Sequence, residues 1–178
     1  CDWSSAVCSS DLRDAIYHPG APVVAACLAA AEDTDASGEA FLRAVVVGYE
    51  ISTRIGAVMG RGHYRFWHST GTIGTFGAAA GAGVLYGLDA TQLAHALATA
   101  ATFAAALQQA FRSDSMSKPL HAGRAAEGGL LAALGAREGV TGALDVLEGE
   151  LGFASAMGGG ADWQRGLDTL GQDFHIGR

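Results

Sequence analysis

From Pro22 onward the apolar residues recur at helical spacing, and no stretch alternates apolar and polar residues over the length of a strand. The pattern predicts an all-α chain, bundle-like in architecture. Pro22 opens a first helix over residues 22–32, because proline has no N–H to lose at a helix start. Ser37 is the expected N-cap of a long second helix. Phe41, Val45, Gly48, Ile51 or Ser52, and Ile55 form its buried stripe, and Gly60 and Gly62 end it near Met59. A third helix is expected over 70–86, with Gly87 as its breaker. Asp89 and Gln92 read as a capping box for a fourth helix over 90–111. Residues 112–119 are a polar loop, and a fifth helix follows over 120–138, closed by Gly139. Thr141 caps a short helix over 142–148, Gly158-Gly159-Gly160 forms a loop, and a last short helix covers 163–170.

The third helix carries Gly71, Gly74, Gly77 and Gly81. Glycine inside a helix costs about 0.5–1 kcal/mol relative to alanine, so several in one helix call for a compensating close approach by another helix or a ligand. Composition supports close packing: of 178 residues, 49% are hydrophobic and only 16% charged, which is below the usual quarter. So little charge also implies that another domain or subunit covers part of the surface. The net charge of −7 and the lack of any Lys/Arg run exclude nucleic acid as a partner class. Two windows, 69–88 and 90–111, lack Asp, Glu, Lys and Arg apart from Asp89 between them, and each is long enough to span a bilayer. They are built of Gly, Ala and Thr, which contribute little transfer energy, so a buried helical pair is expected and no membrane span. Cys1, Cys8 and Cys27 show neither metal spacing nor a disulfide framework, and there is no secretory signal, which points to the cytoplasm. Residues 1–12, rich in serine and without apolar periodicity, read as a disordered or foreign leader.

Candidate chemistry clusters in three places. His63-Tyr64-Arg65-Phe66-Trp67-His68-Ser69-Thr70-Gly71-Thr72 sets titratable and hydroxyl groups at the start of the third helix, where free N–H groups suit a carboxylate. His18 precedes Pro19-Gly20 at the start of the first helix, where the same argument holds, although a turn histidine stacked on Tyr17 is an equal reading. Lys118, the one lysine in the chain, opens the fifth helix with His121 nearby and could hold a carboxylate or transfer a proton. Histidine titrates near pH 6.5 and serves as acid or base under cellular conditions. His95 reads as a packed core or interface residue, and His175 belongs to the tail. HExxH, CxxC and carboxylate–histidine clusters are missing, so no metal is expected.

Four runs in order resemble the MmgE/PrpD family, which includes 2-methylcitrate dehydratase, cis-aconitate decarboxylase and iminodisuccinate epimerase. They are His18-Pro19-Gly20-Ala21-Pro22-Val23-Val24, Gly48-Tyr49-Glu50-Ile51, His68-Ser69-Thr70-Gly71-Thr72-Ile73-Gly74, and Ser115-Met116-Ser117-Lys118-Pro119-Leu120-His121-Ala122-Gly123-Arg124-Ala125-Ala126. The resemblance covers about residues 13–152. It implies a helical domain, a homodimer, and a cofactor-free site for a small di- or tricarboxylate. It places His18, His68 and Lys118 as the catalytic acid/base and carboxylate-holding groups, with Ser69, Thr70 and His121 binding substrate. The implied chemistry is a lyase reaction, loss of water or CO2 after acid/base attack beside a carboxylate; the alternatives are an epimerase and a non-catalytic helical dimerisation module. The family's Asp-rich segment before the first histidine has no counterpart here, where Cys8 and Leu12 stand at that spacing, and its smaller lid domain would follow this chain. The expectation is therefore a partial helical domain over 13–157, a glycine-rich tail over 158–178 leading toward the lid, and no activity from this piece alone.

Overall fold

The computed structural model describes residues 16–158 and 160–177. The leader expected over 1–12, with Cys1 and Cys8, lies outside them. Among the described residues the elements are helical, and Trp67 and Leu107 form an isolated antiparallel bridge. Five long helices form the body: α1 Gly20–Asp33, α2 Gly38–Tyr64, α3 Ser69–Leu85, α4 Ala90–Phe103 and α5 Leu120–Arg137. Two short ones follow, α6 Phe153–Met157 and α7 Trp163–Leu167.

α3 is the axis of the domain. Every residue from Ser69 to Gly83 is buried, and α1, α2, α4 and α5 all pack on it. The glycines make this possible. A Cβ on Gly48 of α2 would lie 2.7 Å from the Gly77 carbonyl oxygen, and one on Gly77 would lie 2.9 Å from that of Gly48. On α5, a Cβ at Gly129 would meet the Thr75 oxygen and the Ala79 nitrogen at 2.6 Å each. Backbone atoms cannot yield as a flexible side chain can, so glycine at these places is set by interhelical distance. The core between the helices is largely alanine, with Ile73 and Phe76 as its large, fully buried members.

Local signals set most helix ends. The Ser37 hydroxyl accepts from the Ala40 N–H at 3.2 Å, and Asp89 and Gln92 close a capping box at 2.8 and 3.1 Å. Gly87 and Gly139 take positive φ just past α3 and α5. Other boundaries differ from the sequence reading. α1 begins at Gly20, two residues before Pro22, because Pro19 supplies a helical φ at the N-cap. α2 runs on past Gly60 to Tyr64, with a kink where Gly60 adopts φ 58°, ψ −159°. The fourth helix stops at Phe103 and not Phe111; Ala104 is extended and only Gln108–Phe111 returns to a 3-10 turn. The helix expected over 142–148 is a series of turns. The last helix is shorter than expected, and α6 had no sequence signal.

The tail holds to the body through two buried charges. Arg54 and Glu50 pair at 2.5 Å with side chains 5% and 8% exposed. The guanidinium also donates to the carbonyls of Gly166 (3.0 Å), Asp168 (2.6 Å) and Asp173 (3.1 Å), and the second oxygen of Glu50 accepts from the His175 N–H at 2.8 Å. His175, read from sequence only as part of a tail, is thus buried against α2.

Candidate active site at the start of α3

His68 occupies the N-cap position of α3 and is 5% exposed. Its backbone is locked from both sides. The N–H donates to Ala106 at 3.0 Å, and the carbonyl accepts from Gly71 at 2.8 Å and Thr72 at 3.2 Å. The extended residues after α4 therefore do structural work for the site. Gln108 adds its N–H to the Phe66 carbonyl at 2.9 Å and its side-chain amide to that of Tyr64, also 2.9 Å. This pairing with residues 64–68 is what ends α4 early. It satisfies backbone groups that a longer helix would have satisfied internally.

The His68 ring meets groups from two further segments. Its Nδ1 lies 2.9 Å from Nδ1 of His121, which stands on the first turn of α5. Phe111 approaches it edge-on, with ring centroids 4.5 Å apart. The Lys118 ammonium, on an exposed residue in the turn before α5, sits 4.4 Å from the centre of the same Phe111 ring. His18, half-buried, reaches α3 through its backbone, donating its N–H to Thr70 Oγ1 at 3.4 Å. The preceding Tyr17 is buried, and its hydroxyl donates to Ser52 on α2, which in turn donates to the Gly48 carbonyl at 2.5 Å. Ser69 and Thr70 are buried on the first turn of α3, where the leading N–H groups of a helix lack intrahelical acceptors.

Burial drives the His68 pKa down to about 3, with the charges of His121, Lys118 and His18 acting in the same direction. His121 is lowered as well, by burial and then by Lys118. His68 is therefore a neutral imidazole at cellular pH, ringed by positive or titratable groups. The sequence-derived candidates His18, His68, Ser69, Thr70, Lys118 and His121 are thus gathered around one helix start. Phe111, which touches both His68 and Lys118, was read only as the end of a helix; an alanine-rich, breaker-free run around it carries no local signal. Among the described residues no group of three or more His, Cys, Asp or Glu is placed to hold a metal ion, and no helix is long and apolar enough to cross a membrane.

His63 belongs to the wall behind the site. It is 1% exposed, its Nδ1 is 3.1 Å from the Met157 carbonyl and its Nε2 is 2.7 Å from Thr72 Oγ1. A carbonyl can only accept, so Nδ1 carries the proton and Nε2 takes the threonine hydroxyl. Burial lowers its pKa to about 4, partly offset by the Met157 bond. His95 on α4 accepts from the Gly142 N–H at 3.3 Å and ties the turns after α5 to that helix.

These depressed values predict acid lability. The unfolded chain takes up protons on both histidines near pH 6.5, whereas the folded chain resists until about pH 4 at His63 and about pH 3 at His68. Stability is complete above pH 6.5 and falls as pH drops through that window, by up to ~1.4 kcal/mol per pH unit for each histidine. Urea midpoints at pH 7.5, 6 and 5, a range that limits carboxylate titration, check this. His63→Gln is expected to flatten the slope; an unchanged midpoint across the range in the native protein contradicts it.

Fold and site together define a class: an all-α domain that seats histidines and a lysine from three chain segments around a single buried helix start. The family model described as the MmgE/PrpD N-terminal domain matches residues 10–166, and the chain belongs to that family. It is 33% identical over 159 residues to a human protein named cis-aconitate decarboxylase, covering 84% of this chain and 33% of the relative. It is 34% identical over 151 residues to the cis-aconitate decarboxylase-like protein oryM of Aspergillus oryzae, covering 76% of this chain and 31% of that protein. The chain thus spans about a third of the length of these curated relatives.

Proposed function

We propose that this domain supplies one wall of the active site of a lyase acting on a small di- or tricarboxylate by acid/base chemistry, without a metal or organic cofactor. The convergence of His18, His68, His121 and Lys118 at the start of α3 carries this reading. A polycarboxylate brings negative charge, and the site offers an ammonium, the positive end of a buried helix and several imidazoles. Lys118 anchors one carboxylate, with Ser69, Thr70 and the α3 N–H groups orienting another. In this reading His68 and His18 give or take the proton.

The chemistry follows from His68 being neutral. Loss of CO2 from a carboxylate leaves an electron pair on carbon, which an imidazolium N–H protonates, returning His68 to its neutral form. Loss of water starts at the other end, with an imidazole lone pair taking the proton beside a carboxylate. Bound carboxylates also favour the charged imidazole, so substrate raises the His68 pKa from its depressed value toward the range useful for proton transfer. The decarboxylase names of both relatives favour loss of CO2.

The test is turnover by the whole protein, with chelator present, of cis-aconitate, 2-methylcitrate and iminodisuccinate, following released CO2, water elimination and stereochemistry separately. Release of CO2 from cis-aconitate is the expected result. Racemisation of iminodisuccinate without elimination would make the protein an isomerase. Failure on all three would overturn this substrate assignment.

A further inference from the structure

His68 and His121 face each other Nδ1 to Nδ1 at 2.9 Å. That geometry admits one proton between the two nitrogens. Two lone pairs there would leave no hydrogen bond, and two N–H groups would collide. The pair therefore has two resting arrangements. In one, His68 carries its proton on Nδ1, gives it to the His121 lone pair, and presents a bare Nε2. In the other, His121 is the donor and His68 presents Nε2–H. The first is a base at His68 Nε2 and the second is an acid at the same atom.

We propose that His68 and His121 form a two-imidazole proton relay, in which His121 is the positioning residue that converts His68 between its base and acid forms and connects it to solvent. The proposal rests on the acid/base role assigned to His68 above. When His68 Nε2 takes a proton from a carbon, the bonding pair stays on that carbon. The Nδ1 proton of His68 crosses to His121 Nδ1, and His121 releases its own Nε2 proton to water. Running in reverse, the same steps deliver a proton from water to the site. Burial suits this order: His68 is 5% exposed, while His121 is only half-buried and donates its backbone N–H to the carbonyl of the exposed Lys118 at 3.1 Å. The groups around the pair are Lys118 from the turn before α5, His18 from the segment before α1, and the uncharged Phe111 edge. The nearby ammonium of Lys118 disfavours a lasting positive charge on His121, which promotes release of the proton.

Long-range proton–nitrogen NMR of the chain at neutral pH, with no substrate present, reads the tautomers directly. The expected result is complementary rings: of the two Nδ1 atoms, one is protonated and the other bare. Two bare Nδ1 atoms would overturn the relay. His121→Asn then separates relay from simple positioning. The asparagine oxygen accepts from His68 Nδ1–H and holds that tautomer, but it cannot pass a proton on. Exchange of the His68 ring proton with water is expected to slow by roughly tenfold or more, the effect of removing a positioned proton carrier. Unchanged exchange in a variant that keeps the tautomer would reduce His121 to an orienting group and overturn the proposal. These readouts need no turnover, so they stand or fall separately from the lyase assignment.

Discussion

Replacing His68 with alanine lowers kcat of the whole protein by roughly 10²–10⁴-fold on the substrate that it turns over, the usual contribution of a positioned general acid or base. Three features concentrate the effect here. The ring stands at the start of a helix buried from Ser69 to Gly83, its backbone is fixed by bonds to Ala106, Gly71 and Thr72, and burial together with the charges of His121, Lys118 and His18 disfavours its charged form. Lys118→Ala should act differently. Its ammonium lies at the exposed edge against Phe111, so its loss is expected to raise KM more than it lowers kcat, as for a group that holds ground state and transition state alike. Steady-state kinetics of both variants, with helical content verified by circular dichroism, give the comparison. A His68→Ala protein within tenfold of the parent kcat would remove His68 from the chemistry.

Arg54→Met is expected to cost about 3–5 kcal/mol of stability, because it leaves Glu50 buried as a charge without its partner. The arginine also satisfies three backbone carbonyls of the tail, and the glutamate holds a fourth tail group, the His175 N–H. The loss should therefore appear twice: as a lower urea midpoint, and as faster proteolysis between residues 166 and 175. Adding Glu50→Gln to the variant removes the stranded charge while keeping an acceptor for His175, and is expected to recover part of the stability but not the protection of the tail. A single-variant loss under about 1 kcal/mol would show that the pair is solvated in practice.

The relation between sequence and structure is uneven, and the unevenness has physical causes. Helix type and most starts were legible because their signals are short-range. Ser37 and the Asp89–Gln92 box act over three residues, and Gly87 and Gly139 supply left-handed backbone where it is needed. The glycines of α3 were legible as a demand for close approach, though not as to which helices approach. The end of α4 was not legible at all. Residues 104–107 are alanines and a leucine, good helix formers that the fold draws out into an extended segment because their backbone groups find partners at residues 66–68. Nothing in the sequence near Arg54 signals its role, since its carbonyl partners lie more than a hundred residues away in sequence.

The candidate site divides the same way. Residue types and their order were readable: a histidine before Pro-Gly, a histidine before Ser-Thr-Gly, a lysine and a histidine at a later helix start. By itself the sequence determined an all-α domain, tightly packed through glycine and alanine, with its titratable groups held at helix starts. Those properties depend on chemistry within a turn or two of each residue. The tertiary structure alone decided that the helix starts meet, that His68 is buried and neutral, that His121 faces it nitrogen to nitrogen, and that Phe111 closes the edge. Desolvation and ring-to-ring geometry are properties of what surrounds a residue, and for His68 those surroundings come from segments more than forty residues away.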